Sequence, residues 1–370
     1  MINIPLRLIL LPILVSSMAF YLCCRIWKGY GLKPAIIWAA VSASIISWGA
    51  LITRVFSINT PPELAVVGYA YLVFTGLSFM LLLTLDTIGF ILWCLLKIKI
   101  NVRHKLSLVF IVTSTIFCSG YFEARNIRTV EISVTTDKLP IGTDTIRIVQ
   151  ISDLHISKTF DSDQLTKTME IADAASADLI ILTGDTVDMD LRKDEYFVKI
   201  LDSVSTPLGK YAVTGNHEHY AGIEQAADFM ERAGYTVLRG GWLDLGPIVV
   251  AGIDDPGRDV VSTQNDGSLL LSSLPDYLRN KFILFLKHQP YVHEDSIGLF
   301  DLQLSGHTHG GQIWPLGYLV SFLHGIKQGL SAHADSHLYV SNGTGYWGPP
   351  IRFLAPPEVT IINVVRKQQT

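Results

Sequence analysis

Two histidines stand two residues apart in the segment Leu304–Gln312, which reads LSGHTHGGQ. If the preceding run Phe300–Leu304 is a strand, His307 and His309 point to the same side, because alternate residues of a strand share a face. Two glycines follow at once, and glycine allows tight turns and a close approach of the backbone to a bound ion or anion. This pattern predicts a metal site; the alternative is a solvated loop that happens to contain two histidines.

Four other predicted strands also end in Asp, His or Asn. These β-rich runs are Thr145–Ile151, Asp178–Thr183, Tyr211–Val213 and Phe282–Leu286. One such ending could be a helix cap or a turn former, but five are hard to obtain by chance, and ligands of α/β sheets bind at the carboxyl ends of strands. The candidate metal ligands on these five strand ends are Asp153, His155, Asp185, Asn216, His288, His307 and His309.

Seven ligands are too many for one tetrahedral zinc ion, which takes four. With one bridging carboxylate they suit two divalent metals about 3.5–4 Å apart, which neutralise an anionic phosphate ester and lower the pKa of a bound water. Mixed carboxylate, amide and imidazole ligands favour Mn, Fe or Zn over Mg. A thiolate zinc site is excluded in the C-terminal two thirds, because all the cysteines (Cys23, Cys24, Cys94 and Cys118) lie in the first third.

The charge of the chain divides it into two parts. Residues 1–122 carry nine Lys or Arg against two acids, a net charge of +7, whereas the remaining 248 residues carry 20 Lys or Arg against 31 acids, a net charge of −11. The acidic part argues against nucleic acid as a partner, since nucleic-acid binding requires a basic face.

The first part contains four long apolar runs, at about Leu8–Cys24, Pro34–Ile52, Ala65–Leu96 and Leu106–Tyr121. A bilayer-spanning helix needs about 20 mostly apolar residues. We therefore expect an all-α transmembrane bundle of about four helices and name the lipid bilayer as a partner.

Asp86 interrupts the third apolar run. The run is either one tilted helix with a polar residue inside, or a helix that ends near Leu85 and continues at the interface. Within the membrane Asp86 would be a functional candidate; at a helix end it would be a solvated or interfacial residue.

Basic residues predict the orientation of these spans. Arg25, Lys28 and Lys33 follow the first run, and Lys97, Lys99, Arg103 and Lys105 follow the third, whereas the second is followed by Arg54 alone. Positive loops stay in the cytoplasm. Four spans then predict a multi-pass protein of the inner or plasma membrane with an extracytoplasmic C-terminal domain; three spans would reverse this orientation.

The C-terminal body alternates strands and helices, which predicts an α/β domain. We place the transmembrane domain at 1–122, a polar connector with one short strand (Thr129–Val134) at 123–144, and the α/β domain at 145–370.

At this point the residues resemble a known family, the calcineurin-like metallophosphoesterases. Five blocks carry the resemblance, over about residues 145–365: Asp153-Leu-His155, Gly184-Asp185, Gly215-Asn216-His217-Glu218, His288 and Gly306-His307-Thr308-His309. The GHTHGGQ segment and the late stretch from Tyr339 look like the bacterial membrane-associated branch. That branch includes phosphodiesterases and proteins similar to UDP-2,3-diacylglucosamine pyrophosphatases.

The resemblance implies a fold and a role for each position. The fold is two mixed sheets packed together with helices outside. Asp153, His155 and His309 would hold the first metal, Asn216, His288 and His307 the second, and Asp185 would bridge them. His217 would be the catalytic histidine that faces the scissile phosphate without ligating metal. Glu218 departs from the many relatives that carry Asp to orient this histidine.

The sequence is compatible with two alternative functions, one enzymatic and one non-catalytic. The first is a membrane-anchored, dinuclear-metal phosphoesterase that hydrolyses a phosphodiester or pyrophosphate bond by metal-activated water. The second is a non-catalytic membrane sensor or docking protein that retains the fold. The complete ligand set with His217 favours the enzyme. The anchor favours a lipid-linked phosphate as substrate, although an anchor can also merely keep an enzyme outside the cytoplasm.

Overall fold

The computed structural model describes residues 6–31, 42, 62–157, 160–257 and 267–367. The chain forms two compact units, one of Met1–Tyr121 with Gly348–Pro350 and one of Phe122–Trp347 with Ile351–Thr370. Each unit has its own apolar core.

The first unit contains three described helices, α1 (Leu6–Tyr30), α2 (Pro62–Leu96) and α3 (Val102–Glu123, whose last residues belong to the second unit). Stretches of α2 and α3, Val66–Leu96 and Val102–Glu123, are long and apolar enough to cross a membrane. Helix α1, which contains the predicted span Leu8–Cys24, is not among the candidate spans of the described residues, and the predicted span Pro34–Ile52 lies outside the described residues. A bundle of about four transmembrane helices is therefore not confirmed.

Helix α2 runs without a break through Asp86. The alternative in which the helix ends near Leu85 is therefore wrong, and the polar residue lies inside one continuous helix. Arg25 and Lys28 lie within α1, and Arg103 and Lys105 lie within α3, so these four basic residues belong to helices and not to loops.

Two six-stranded sheets make up the second unit in the described part of the chain. In spatial order the first consists of β1 (Arg128–Thr136), β12 (Glu358–Arg366), β2 (Thr145–Ile151), β3 (Leu179–Thr183), β4 (Lys210–Val213) and β5 (Thr236–Val237). The second consists of β10 (Gly329–His333), β11 (Ser336–Val340), β9 (Leu302–Ser305), β8 (Phe282–Leu286), β7 (Ile248–Gly252) and β6 (Gly241–Asp244). Each combines parallel and antiparallel pairs, which confirms the predicted mixed sheets.

Helices and two short 3-10 turns connect the strands. The helices are α4 (Ser162–Ala174), α5 (Glu195–Leu201), α6 (Asn216–Ala221), α7 (Ile223–Arg232), α8 (Ser268–Ser272), α9 (Asp276–Arg279) and α10 (Leu316–His324). The turns are Glu294–Ser296 and His309–Gly311.

The main core lies between the two sheets. Ile148 and Ile181 of the first sheet pack in one cluster with Leu284 and Leu302 of the second, all fully buried. Because side chains alternate across a strand, the neighbouring Val149 and Ile180 belong to a second cluster with α4 and α7. A third cluster joins β7 and β8 to α8 and α9. The layers are thus helix, sheet, sheet and helix.

The segment predicted as a connector, 123–144, contributes β1 to the first sheet. β1 pairs in parallel with β12 along its whole length, from Arg128 opposite Glu358 to Thr136 opposite Arg366. Its backbone hydrogen bonds are thereby satisfied in the sheet and not by solvent, so this segment is part of the second unit.

Candidate metal centre

All the predicted ligands follow the carboxyl ends of five strands, as the sequence indicated. β2, β3 and β4 are parallel neighbours in the first sheet, and β8 and β9 are parallel neighbours in the second. Strand ends that share one edge bring their following loops together.

The local backbone differs from the sequence-based expectation. His307 and His309 were expected at alternate strand positions, but β9 ends at Ser305. Asp153 and His155 likewise lie beyond β2, which ends at Ile151. The ligand-type residues lie in turns, where all four and also Asp185 have positive φ, between 50° and 74°. Left-handed backbone is costly for such residues and is concentrated at functional sites. Turn geometry and not strand alternation therefore sets their directions.

Three overlapping groups of possible ligand atoms result. Each group lies within 4.8 Å, and the groups are Asp153–His155–His309, His155–Asp185–His217 and Asp185–His288–His307. The two neighbouring histidines of the GHTH segment thus separate, His309 into the first group and His307 into the third.

Asp185 lies at the centre of this arrangement. Its Oδ2 atom is 3.2 Å from Nε2 of His288 and 3.8 Å from Nε2 of His155. A carboxylate placed between two ligand groups is the arrangement that a bridging ligand requires.

Ring nitrogens of the candidate histidine ligands lie close together in pairs. His155 Nε2 lies 3.0 Å from His309 Nε2, and His307 Nδ1 lies 3.2 Å from His288 Nε2. The other ring nitrogen of His288, Nδ1, is 2.8 Å from the carbonyl oxygen of Thr183. If Nδ1 donates there, the Nε2 lone pair is free for a metal ion, the usual tautomer of a metal-bound histidine.

Asn216 supplies an independent indication that a cation fits here. It is the first residue of α6, and its Oδ1 atom is buried without a hydrogen-bond partner among the described residues. A buried acceptor without a partner is destabilising by about 1–3 kcal/mol. A divalent cation would satisfy this oxygen, as it would the converging imidazoles.

The charges of the site fit metal binding as well. Burial, reinforced by nearby positive charge, lowers the pKa of His307 and holds that of His309 well below the ordinary value. These two rings are therefore neutral near pH 7, the form that binds metals. Burial acts to raise the pKa of Asp185, but His288 and other histidines outweigh it and hold that pKa well below its usual range.

His155 behaves differently in the ion-free protein. Burial acts to lower its pKa, but Asp188, Asp185 and Asp153 together outweigh burial and raise it to about 9.

Asp188 is a site residue that the sequence reasoning missed. Its Oδ1 atom lies 2.7 Å from Nδ1 of His155 and 2.7 Å from Nδ1 of His217. The signal was available, because Asp188 stands only three residues after Asp185 in the same turn.

Glu218 has a different role from the one that the resemblance suggested. Its buried carboxylate accepts hydrogen bonds from four backbone N–H groups, at 2.6–3.0 Å; the donors are Asp185, Thr186, Val187 and Gly215. Glu218 therefore holds the loop that carries Asp185 in place. The carboxylate that contacts the ring of His217 is that of Asp188.

Arg352 is a second residue that the sequence reasoning missed. It is fully buried, and its guanidinium donates to the carbonyl oxygens of Gly345, Ala355, Gly343 and His309. Its Nη2 atom also lies 3.2 Å from Nδ1 of His309. Arg352 thus ties the loop of His309 to the segment before β12.

Glycine is required where the loops approach most closely. A Cβ atom at Gly306 would collide with the side chains of Ser152 and Asp153, and one at Gly184 would lie 2.6 Å from Nδ1 of His288. Gly184 also has a φ of 90°. The glycines that precede Asp185 and His307 therefore allow the two sheet edges to meet.

Comparison with known proteins agrees with this geometry. The family model for calcineurin-like phosphoesterases matches residues 146–311. An uncharacterized metallophosphoesterase of Aquifex aeolicus (strain VF5) is 34% identical over 259 residues, which cover 67% of this chain and 95% of that relative. A transmembrane protein with metallophosphoesterase domain from Danio rerio is 27% identical over 274 residues, which cover 70% of this chain and 62% of the relative.

Among solved structures, the protein TT1561 of Thermus thermophilus resembles the chain with a TM-score of 0.38 and 17% identity, over 54% of this chain and 90% of that one. The sequence relationship to the Aquifex protein spans almost that whole relative, and the family model includes every block of the metal centre. The chain therefore belongs to the calcineurin-like metallophosphoesterase family and is a metal-dependent phosphoric ester hydrolase.

Proposed function

We propose that this protein is a membrane-anchored phosphoesterase with two divalent metal ions that hydrolyses a phosphodiester or pyrophosphate bond. The observation that carries the proposal is the overlap of the ligand groups, in which Asp185 belongs both to the group with His155 and to the group with His288. The buried, unpartnered Oδ1 atom of Asn216 supports it independently.

The ligands divide between two positions. Asp153, His155 and His309 would hold one ion, Asn216, His288 and His307 the other, and Asp185 would bridge them. Bound there, Mn, Fe or Zn would neutralise the charge of the phosphate and lower the pKa of a water so that it can attack phosphorus.

His217 is the proton donor in this proposal. Its Nδ1 atom is held by Asp188, which leaves Nε2 directed away from that hydrogen bond and able to protonate the leaving oxygen.

Apolar surface beside the site favours a lipid-linked phosphate as the substrate. The ring of Trp347, which is half exposed, has its centroid 6.3 Å from that of His217, and Tyr220 lies at 5.2 Å. Gln312, at the end of the GHTHGGQ segment, exchanges two hydrogen bonds with the backbone of Trp347. Helix α10 follows this segment and exposes Tyr318 (72%) and Phe322 (84%).

Membrane association rests on the two apolar helices and on the relatives named as transmembrane proteins. The finer proposal is a multi-pass protein of the inner or plasma membrane, with the phosphoesterase domain outside the cytoplasm. Its support is the excess of Lys and Arg after the first and third apolar runs.

Hydrolysis by the purified full chain in detergent tests the proposal. With Mn²⁺ we expect hydrolysis of bis-p-nitrophenyl phosphate or of a nucleotide-sugar lipid, and loss of activity with a chelator. Asp185→Asn should be inactive, whereas His333→Ala, on the edge strand β10, should match the wild type. A metal-loaded chain that hydrolyses neither diesters, pyrophosphates nor phospholipids would instead favour the non-catalytic sensor.

A further inference from the structure

Asp86 ties together the three described helices of the first unit. It accepts hydrogen bonds from Tyr21 Oη at 2.6 Å and Arg25 at 2.5 Å, both on α1, and from Lys105 Nζ on α3 at 2.9 Å. An ionisable residue inside an apolar helix is costly and marks a functional site by default. The question is what this ionic cluster binds.

The cluster carries more positive than negative charge. Arg25, Lys99 and Lys105 line a pocket of about 480 Å³ in which Asp86 is the only acid among the lining residues. Three cations against one anion leave a net charge of +2. Arg25 Nε is buried and has no hydrogen-bond partner in the described part of the chain, and no ion pair or hydrogen bond of Lys99 occurs there.

The backbone of α2 is adapted to this arrangement. Gly89, one turn after Asp86, is buried, and a Cβ atom at this position would collide with Nζ of Lys105. A side chain at residue 89 would therefore displace the buried Lys105 ammonium from its present position beside Asp86.

The lining residues define the class of ligand. Arg and Lys side chains that outnumber the acids around them recognise phosphate oxygens. Phe90 and Trp93 complete the wall of the pocket and are exposed on α2 beside it, and aromatic rings of this kind lie at the level of lipid head groups. Basic pockets between transmembrane helices bind anionic head groups.

We infer that the Arg25–Lys99–Lys105 pocket binds the phosphate of an anionic glycerophospholipid and prefers it to a zwitterionic one. This inference rests on the proposed insertion of the helices into a membrane. The site is separate from the metal centre, because every lining residue belongs to the first unit.

Native mass spectrometry of the full chain in detergent tests the inference. The chain is titrated with short-chain phosphatidylglycerol, with phosphatidylcholine of the same acyl chains, and with inorganic phosphate. We expect tighter binding of phosphatidylglycerol. Lys99→Gln should weaken the binding of phosphatidylglycerol about five-fold, the effect of one basic residue near an anionic lipid surface. Lys99→Glu changes the charge by two units and should weaken this binding about 25-fold.

The matched control is Lys28, which is exposed on α1 and does not line the pocket. Lys28→Gln and Lys28→Glu should bind phosphatidylglycerol like the wild type. Equal retention of the two lipids, or an equal loss in the Lys28 variants, would overturn the inference. Displacement of phosphatidylglycerol by equimolar inorganic phosphate would overturn the lipid assignment and identify a free anion as the ligand.

Two further measurements separate this inference from the proposed function. Carbonate washing of membranes shows whether the chain is inserted, and hydrolysis of bis-p-nitrophenyl phosphate shows whether the metal centre is active. A chain that stays in the membrane and hydrolyses the diester, but shows no preference for phosphatidylglycerol, would refute the lipid site alone. A chain released by the wash would refute the proposed anchoring.

Discussion

Asp188 Oδ1 lies 2.7 Å from Nδ1 of His217, on the side of the imidazole ring opposite Nε2. The same oxygen contacts His155, so one carboxylate orients both a proposed metal ligand and the proposed proton donor. The family resemblance instead pointed to position 218, where many relatives carry an Asp that orients this histidine. In the structure the Glu218 carboxylate is occupied by backbone N–H groups.

The contact between Asp188 and His217 leads to a prediction that distinguishes metal binding from proton transfer to the leaving group. His217→Ala should retain nearly full metal content and lose about 10²–10⁴-fold in kcat, the usual contribution of one general acid. Metal analysis and steady-state kinetics on the same preparation measure both quantities. Loss of metal in proportion to activity would make His217 a ligand and refute its assigned role.

Asp188→Asn tests the orienting contact itself. The amide keeps the size of the side chain but removes its charge, so we expect kcat to fall about 10–100-fold, the usual cost of losing such an outer carboxylate. The pH profile of kcat should shift because burial acts to lower the pKa of His155 and Asp188 is the first of the carboxylates that raise it. An unchanged pH profile would show that Asp188 has only a structural role.

Asp185→Asn should remove both metal ions together. The carboxylate lies between the two ligand groups, and a neutral amide cannot bridge two cations as a carboxylate does. Elemental analysis after loading with Mn²⁺ or Zn²⁺ gives the number of ions per chain. A variant that keeps one ion at full occupancy would show that the two positions do not share Asp185.

Glu218→Ala should destabilise the protein by about 3–5 kcal/mol, because it leaves four buried backbone N–H groups without their charged acceptor. Thermal melting of the full chain in detergent measures the loss. Glu231→Ala, at an exposed position of α7, is the control and should stay within about 0.5 kcal/mol. Equal melting temperatures for the two variants would refute this role of Glu218.

The orientation in the membrane is tested by fusions to the C-terminus. Alkaline phosphatase fused there should be active, and green fluorescent protein exported by the same route should be dark, because the positive loops are expected to stay in the cytoplasm. The reverse pattern would place the metal centre in the cytoplasm. A lipid of the cytoplasmic leaflet or a nucleotide sugar would then be the better candidate substrate.

Local spacing was sufficient to predict the class of the candidate metal centre. Asp, Asn and His follow five apolar runs, and each run is long enough for one buried strand, so the sequence predicted both the α/β fold and a candidate ligand set. These signals are local because burial and ligand chemistry leave their pattern within a few residues.

The arrangement of those residues in space became clear only from the folded structure. The prediction that strand alternation aims His307 and His309 to one side was wrong, since both lie beyond the end of β9 and they belong to different ligand groups. Left-handed backbone sets their directions, and it arises where contacts from elsewhere in the fold stabilise a strained conformation. The partners of His309 and Asp86 are remote in sequence: Arg352 comes from the segment before β12, and Arg25 and Lys105 from two other helices. Such contacts form between chain segments that meet only when the helices and strands pack together, so they cannot be predicted from local residue spacing.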